Sequence, residues 1–91
     1  MSYPIAIITG ASRGLGRAIA LDLAADGYGV ALTARDAAAL EAVAQDCTKA
    51  GAPVALTYPA DLSQPGEPAR VVDEVMKQTG RIDALVNNAG I

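Results

Sequence analysis

The sequence has no histidine, no phenylalanine, no tryptophan and a single cysteine. One cysteine excludes a disulfide within the chain, and without histidine the usual zinc ligand sets cannot be assembled. Positive charge is also scarce: seven Lys and Arg face ten Asp and Glu, for a net charge of −3. That balance argues against nucleic acid as a partner. No apolar run approaches the ~20 residues of a membrane span. Met1-Ser2-Tyr3-Pro4 lacks the basic and apolar regions of a targeting signal. A soluble, cytoplasmic protein with no membrane partner is expected.

What is present is aliphatic. The 91 residues are 52% hydrophobic, carried by Ala, Val, Ile and Leu, which suits parallel strands covered by closely packed helices. Four apolar runs without alternation read as buried strands: Ile5–Thr9, Gly29–Ala34, Pro53–Tyr58 and Ala84–Asn87. Between them lie three helical patterns. Leu15, Ala18, Ile19 and Leu23 recur at helical spacing before Gly27. Asp36 is a plausible N-cap for a helix through about Lys49, with Leu40, Val43, Ala44 and Cys47 on one face and Gly51 at its end. This placement makes Cys47 a small core residue rather than a nucleophile. After a turn-rich stretch from Asp61 to Pro68, Val71, Val72, Val75 and Met76 mark a third helix ending at Gly80. The order β-α-β-α-β-α-β predicts an α/β, Rossmann-type doubly wound parallel sheet with right-handed crossovers.

The strongest local signal is Thr9-Gly10-Ala11-Ser12-Arg13-Gly14-Leu15-Gly16, between the first strand and the first helix. Glycines there let the backbone turn sharply and approach a pyrophosphate, and the helix N-terminus offers free N–H groups and the positive end of a dipole. Gly14 and Gly16 are also expected to let the helix pack tightly on the strand. The spacing Gly-x3-Gly-x-Gly differs from the commoner G-x-G-x-x-G, and no Gly-Lys-Ser/Thr follows to make a P-loop. A second signal is Arg35, just past the second strand. An acid at this strand end accepts from the ribose 2′-hydroxyl of NAD, whereas an arginine accommodates the 2′-phosphate of NADP. Arg13 would clasp the same phosphate with its planar fork. Asp36 would compete as a ribose acid, but its N-cap role explains it more simply. NADP is therefore expected, with NAD the less favoured cofactor.

With these residues, and with Asn87-Asn88-Ala89-Gly90 after the fourth strand, the sequence resembles the short-chain dehydrogenase/reductase family from Pro4 to Ile91. Asp61-Leu62 and Gly80-Arg81-Ile82-Asp83 also match the family's habit. The resemblance implies that Gly10, Ser12, Arg13, Gly14, Leu15 and Gly16 serve the phosphates and the adenosine end. It also implies that Asp61 and Leu62 flank the adenine, Asp61 accepting from its amino group, and that Asn88, Ala89 and Gly90 line the ribose and nicotinamide side. Thr9 and Asn87 read as structural, tying the first and fourth strand ends together. Asp61 has a second reading as the Asx residue of a turn before Ser63 and Pro65.

The family moves a hydride between nicotinamide and a carbonyl or alcohol carbon, using a Tyr, a Lys four residues later, a Ser and a further Asn. The phenol, unperturbed at ~10, needs a nearby cation to work at neutral pH. Here Tyr3, Tyr28 and Tyr58 are followed four residues on by Ile7, Leu32 and Leu62, and Lys49 and Lys77 lie on predicted helices. No catalytic residue is assigned. The resemblance places that machinery beyond Ile91, which makes the chain the N-terminal, cofactor-binding portion of a longer, homo-oligomeric enzyme acting on a small carbonyl or alcohol substrate. On this reading the domain, residues 1–91, is incomplete at its C-terminal side, its fourth strand is an apolar edge open to self-association, and the 91-residue chain alone is inactive. The alternative is a non-catalytic nucleotide-binding module or an inactive fragment.

Overall fold

A computed structural model describes residues 2–88. The elements follow the order β1 (Ile5–Thr9), α1 (Gly14–Ala25), β2 (Gly29–Ala34), α2 (Ala37–Ala50), β3 (Ala55–Pro59), α3 (Glu67–Thr79) and β4 (Ala84–Val86). All strand pairs are parallel, in the order β3-β2-β1-β4, with Ile7 level with Ala31 on one side and Leu85 on the other. Alternate residues of each strand point to opposite faces, and both faces are covered. Ala6, Ile8, Val30 and Leu32 pack with Ala20, Ala24, Leu40 and Cys47 from α1 and α2. Ile5, Ile7, Ala31 and Tyr58 pack with Val71 and Val75 from α3. This is the doubly wound sheet that the sequence predicts.

Several boundaries and faces differ from expectation. The third strand starts at Ala55, not Pro53, and runs through Pro59. Pro59 lies on an edge strand, where a missing N–H leaves no ladder bond unmade. The fourth strand stops at Val86 rather than Asn87. α3 begins at Glu67, inside the predicted turn, because Pro68 fits a first helical turn, where its absent N–H is unneeded.

The buried stripe of α1 is Gly16, Ala20 and Ala24. Of the larger residues predicted to face inward, Leu15 is exposed, Ala18 is exposed, and Ile19 and Leu23 are only half-buried. A helix seated this close to a sheet has room for methyl groups and little more. On α3, Val71 and Val75 are buried, but Val72 and Met76 are exposed. α2 buries Leu40, Val43, Ala44 and Cys47 as expected, and burial pushes the Cys47 thiol above its ordinary pKa.

The N-terminus of β1 and the segment before β4 are joined by Asp83. Its Oδ2 accepts the Ile5 N–H at 2.8 Å, and the Arg81 guanidinium pairs with the same carboxylate. Arg81 and the Ile5 amide together hold the Asp83 carboxyl down to about 2. Among the described residues, no helix is long and apolar enough to cross a membrane.

Candidate functional site

The chain winds from β1 to β2 to β3 on one side, then returns to place β4 on the other side of β1. The carboxyl ends of β1 and β4 therefore flank the point where strand order reverses, the usual crevice of an open α/β sheet. Three segments meet there: the turn after β1, the end of β2 and the loop after β3.

The turn after β1 is tied down at several places. Gly10 and Gly14 adopt φ of +60° and +59°, a left-handed conformation that side-chain-bearing residues avoid. The Ala11 N–H donates to the Thr33 carbonyl at 3.2 Å, fixing the turn against β2. A Cβ on Gly14 would meet nothing within 4 Å, so conformation, not packing, calls for glycine there. Gly16 is the packing glycine: a Cβ would drive into the Gly10 carbonyl and stand 2.8 Å from Asn88 Nδ2. α1 then starts with neither a side-chain cap nor an acidic residue in its first turn. The positive end of its dipole therefore faces the cleft without a side-chain carboxylate from its own first turn.

Thr9 and Asn88 close the opposite wall. The Asn88 N–H donates to Thr9 Oγ1 at 2.7 Å, and the Thr9 hydroxyl reaches the Val86 carbonyl and Asn87 Oδ1, each at 3.3 Å. Asn88 Nδ2 donates to the Gly10 carbonyl at 3.4 Å. Thr9 and Asn87 do tie the ends of β1 and β4 together.

The open cleft has a volume of about 830 Å³, at the upper end of the range for small-molecule sites. Of the residues singled out in the sequence, Gly10, Ser12, Arg13, Gly14, Leu15, Arg35, Asp61, Leu62 and Asn88 line it. Gly16 is buried beneath the wall rather than part of it. Ala89 and Gly90 lie outside the described residues. The wall also contains Thr33, Ala34, Asp36, Ala39, Ala60 and Ser63. Of these, Thr33, Ala34 and Ala60 sit at or just past the ends of β2 and β3. The rule that ligands bind at the carboxyl ends of parallel strands would have found them. Ala39 carries no sequence signal of its own.

The charges of the cleft are mixed and ordered. Arg13 and Arg35 supply two guanidinium groups. Asp36 Oδ1 accepts the Ala39 N–H at 3.1 Å, so one oxygen of this acid caps α2. Asp61 Oδ1 accepts both the Ser63 N–H at 3.0 Å and the Ser63 hydroxyl at 2.6 Å. These bonds, with the nearby Arg35 charge, hold the Asp61 carboxyl below the ordinary carboxylate range.

One cleft residue is unsatisfied. Thr33 is fully buried and its Oγ1 has no hydrogen-bond partner. A buried hydroxyl without a partner costs about 1–3 kcal/mol. Thr33→Val is therefore expected to raise stability by about 1 kcal/mol, read as a higher urea midpoint at unchanged slope. A lower midpoint would mean that the hydroxyl has a partner in solution.

The family described as short chain dehydrogenase matches residues 4–91. Among curated proteins, 11-beta-hydroxysteroid dehydrogenase 1A of Arabidopsis thaliana is 44% identical over 87 residues, covering 96% of this chain and 25% of the relative. A metagenomic short-chain oxidoreductase, solved in complex with NADP, superposes with a TM-score of 0.90 at 44% identity, over 97% of this chain and 39% of that one. An alcohol dehydrogenase from the archaeon Thermococcus sibiricus, complexed with 5-hydroxy-NADP, gives 0.85 at 35% identity, over 92% and 36%. The chain thus spans a quarter of the length of that curated relative and under two-fifths of those solved structures.

Proposed function

The chain belongs to the short-chain dehydrogenase family, and on that premise we propose that its cleft holds NADP(H) as the cofactor-binding part of a carbonyl/alcohol oxidoreductase. The observation that carries this reading is the cleft's charge arrangement. Arg35 stands at the end of β2 with Arg13 across the turn, while the neighbouring acid, Asp36, is engaged in capping. A ribose bearing a 2′-phosphate meets two planar guanidinium groups, and the neighbouring acid gives one of its oxygens to the α2 cap. The two solved relatives described above, bound to NADP and to 5-hydroxy-NADP, support the same choice.

The residues fit such a group. The uncapped start of α1 and the amides of Ser12 to Leu15 suit a pyrophosphate. Asp61 and Leu62 flank the adenine, with Asp61 as acceptor for its amino group. Asn88 lines the ribose and nicotinamide side. Gly16 acts from below, letting α1 come close enough for the turn to form. Bound there, nicotinamide would supply the hydride donor or acceptor. The residues of this chain would bind and orient it, and none of them forms the Tyr-x3-Lys pair that moves the proton. Substrate and the expected homo-oligomeric assembly belong to the whole enzyme.

The test is a titration of the 91-residue chain with NADPH and NADH, followed by the fluorescence of bound reduced nicotinamide, with a parallel assay for carbonyl reduction. Saturable binding is expected, with NADPH preferred and no turnover. Failure to bind either dinucleotide sinks the cleft assignment. Turnover by this chain alone sinks the assignment of proton transfer to residues outside it.

A further inference from the structure

Asp61 and Ser63 share the loop between β3 and α3, and both line the cleft. The loop is anchored at its start, where the Ala60 N–H donates to the Ala34 carbonyl at 2.9 Å. It is closed three residues after Asp61, where the Gln64 N–H donates to the Asp61 carbonyl at 3.1 Å. Within that frame the Asp61 side chain retains two rotatable bonds. Ser63 removes this freedom. Its amide and its hydroxyl converge on one oxygen, Oδ1, at 3.0 and 2.6 Å, and the Gln64 side chain adds a weaker hydrogen bond to the same carboxylate.

We propose that Ser63 is a positioning residue for nucleobase recognition: by fixing Asp61 through Oδ1, it presents Oδ2 as the acceptor for the 6-amino group of the adenine ring. The inference rests on the reading that the cleft takes an adenine dinucleotide at Asp61, and it adds which residue makes that acceptor selective. An ionised carboxylate only accepts hydrogen bonds. Held in one orientation it matches a 6-amino purine and opposes the lone pairs of a 6-oxo purine. A rotating carboxylate can turn away from the oxo group and loses entropy when it meets the amino group, so selectivity falls on both counts. Ser63 has no need to touch the base. Asp61 thus serves in both of its sequence readings at once, with one oxygen in the turn and the other for the ligand.

The experiment measures binding of NADP⁺ and of nicotinamide hypoxanthine dinucleotide phosphate, its 6-oxo counterpart, to the 91-residue chain and three variants. The unaltered chain is expected to favour NADP⁺ by about tenfold, the worth of one hydrogen bond to a charged group. Ser63→Ala is expected to bring that ratio to about twofold, mainly by weakening NADP⁺, and Ser63→Thr, which keeps both donors, to restore it. Asp61→Ala is expected to abolish the preference. If Ser63→Ala weakens both nucleotides equally, or leaves the ratio intact while Asp61→Ala collapses it, Ser63 shapes only the loop and the proposal is overturned, with the cofactor reading intact. If Asp61→Ala leaves the ratio unchanged, or the unaltered chain binds neither nucleotide, the assignment of adenine to Asp61 falls first.

Discussion

Arg35→Asp is expected to weaken NADPH binding by about a hundredfold, the scale of a lost charge-assisted contact plus a new repulsion. NADH binding is expected to stay within about threefold, because a carboxylate at this strand end can accept from a 2′-hydroxyl. Arg35 follows β2 directly and lies in the cleft wall with Arg13. Replacing it reverses a charge at the rim and sets a third acid beside Asp36 and Asp61. Asp61 now owes part of its depressed pKa to Arg35 and would lose that support. Parallel titrations with the two reduced dinucleotides measure the effect, and raising the salt should shrink the NADPH difference more than the NADH one. Equal losses for both would show that Arg35 does not read the 2′-phosphate.

The other large effect is at Gly16. Gly16→Ala is expected to destabilise the fold by about 2–3 kcal/mol, at the upper end for overpacking, and to abolish nucleotide binding. The added methyl meets the Gly10 carbonyl and the Asn88 amide, two groups that are bonded to each other across the turn. Relief requires α1 to move off the sheet, and the phosphate-facing amides move with it. Gly14→Ala separates sterics from conformation. Its Cβ meets nothing, but φ is +59°, so a cost of about 1–2 kcal/mol is expected from the left-handed backbone alone. Urea denaturation and NADPH titration of both variants supply the comparison. If Gly16→Ala melts and binds like the unaltered chain, α1 is not seated as closely on Gly10 as the structure has it.

These two residues show what the sequence made legible. The Thr9–Gly16 turn and Arg35 were readable because local chemistry imposes them: a tight turn demands glycine, and a phosphate demands donors. The buried face of α1 was not readable from apolar periodicity. Periodicity registers hydrophobic bulk, which points to Leu15, Ile19 and Leu23. The governing quantity is how near the helix comes to the sheet, and that selects Gly16, Ala20 and Ala24. Val72 and Met76 went astray for a related reason, since only one narrow side of α3 meets the sheet. The cleft wall was half legible. Thr33, Ala34 and Ala60 are ordinary strand-end residues made important by where parallel strands finish. Ser63 reads as a plain turn residue until both its donors are seen on one Asp61 oxygen.

β4 meets β1 only from Ala84 to Val86, and its residues are half-buried or exposed, whereas β1 and β2 pair along all of Ile5–Thr9 and are buried except at Ala34. Amide exchange is therefore expected to be faster along β4 than at the β1–β2 centre. Asn88 hangs from Thr9 just past β4, whereas the turn after β1 is bonded through Ala11 to Thr33 at that centre. On that expectation the cleft has a more protected half and a less protected half. A ligand spanning both binds the closed form alone, so its occupancy and the persistence of β4 are thermodynamically linked.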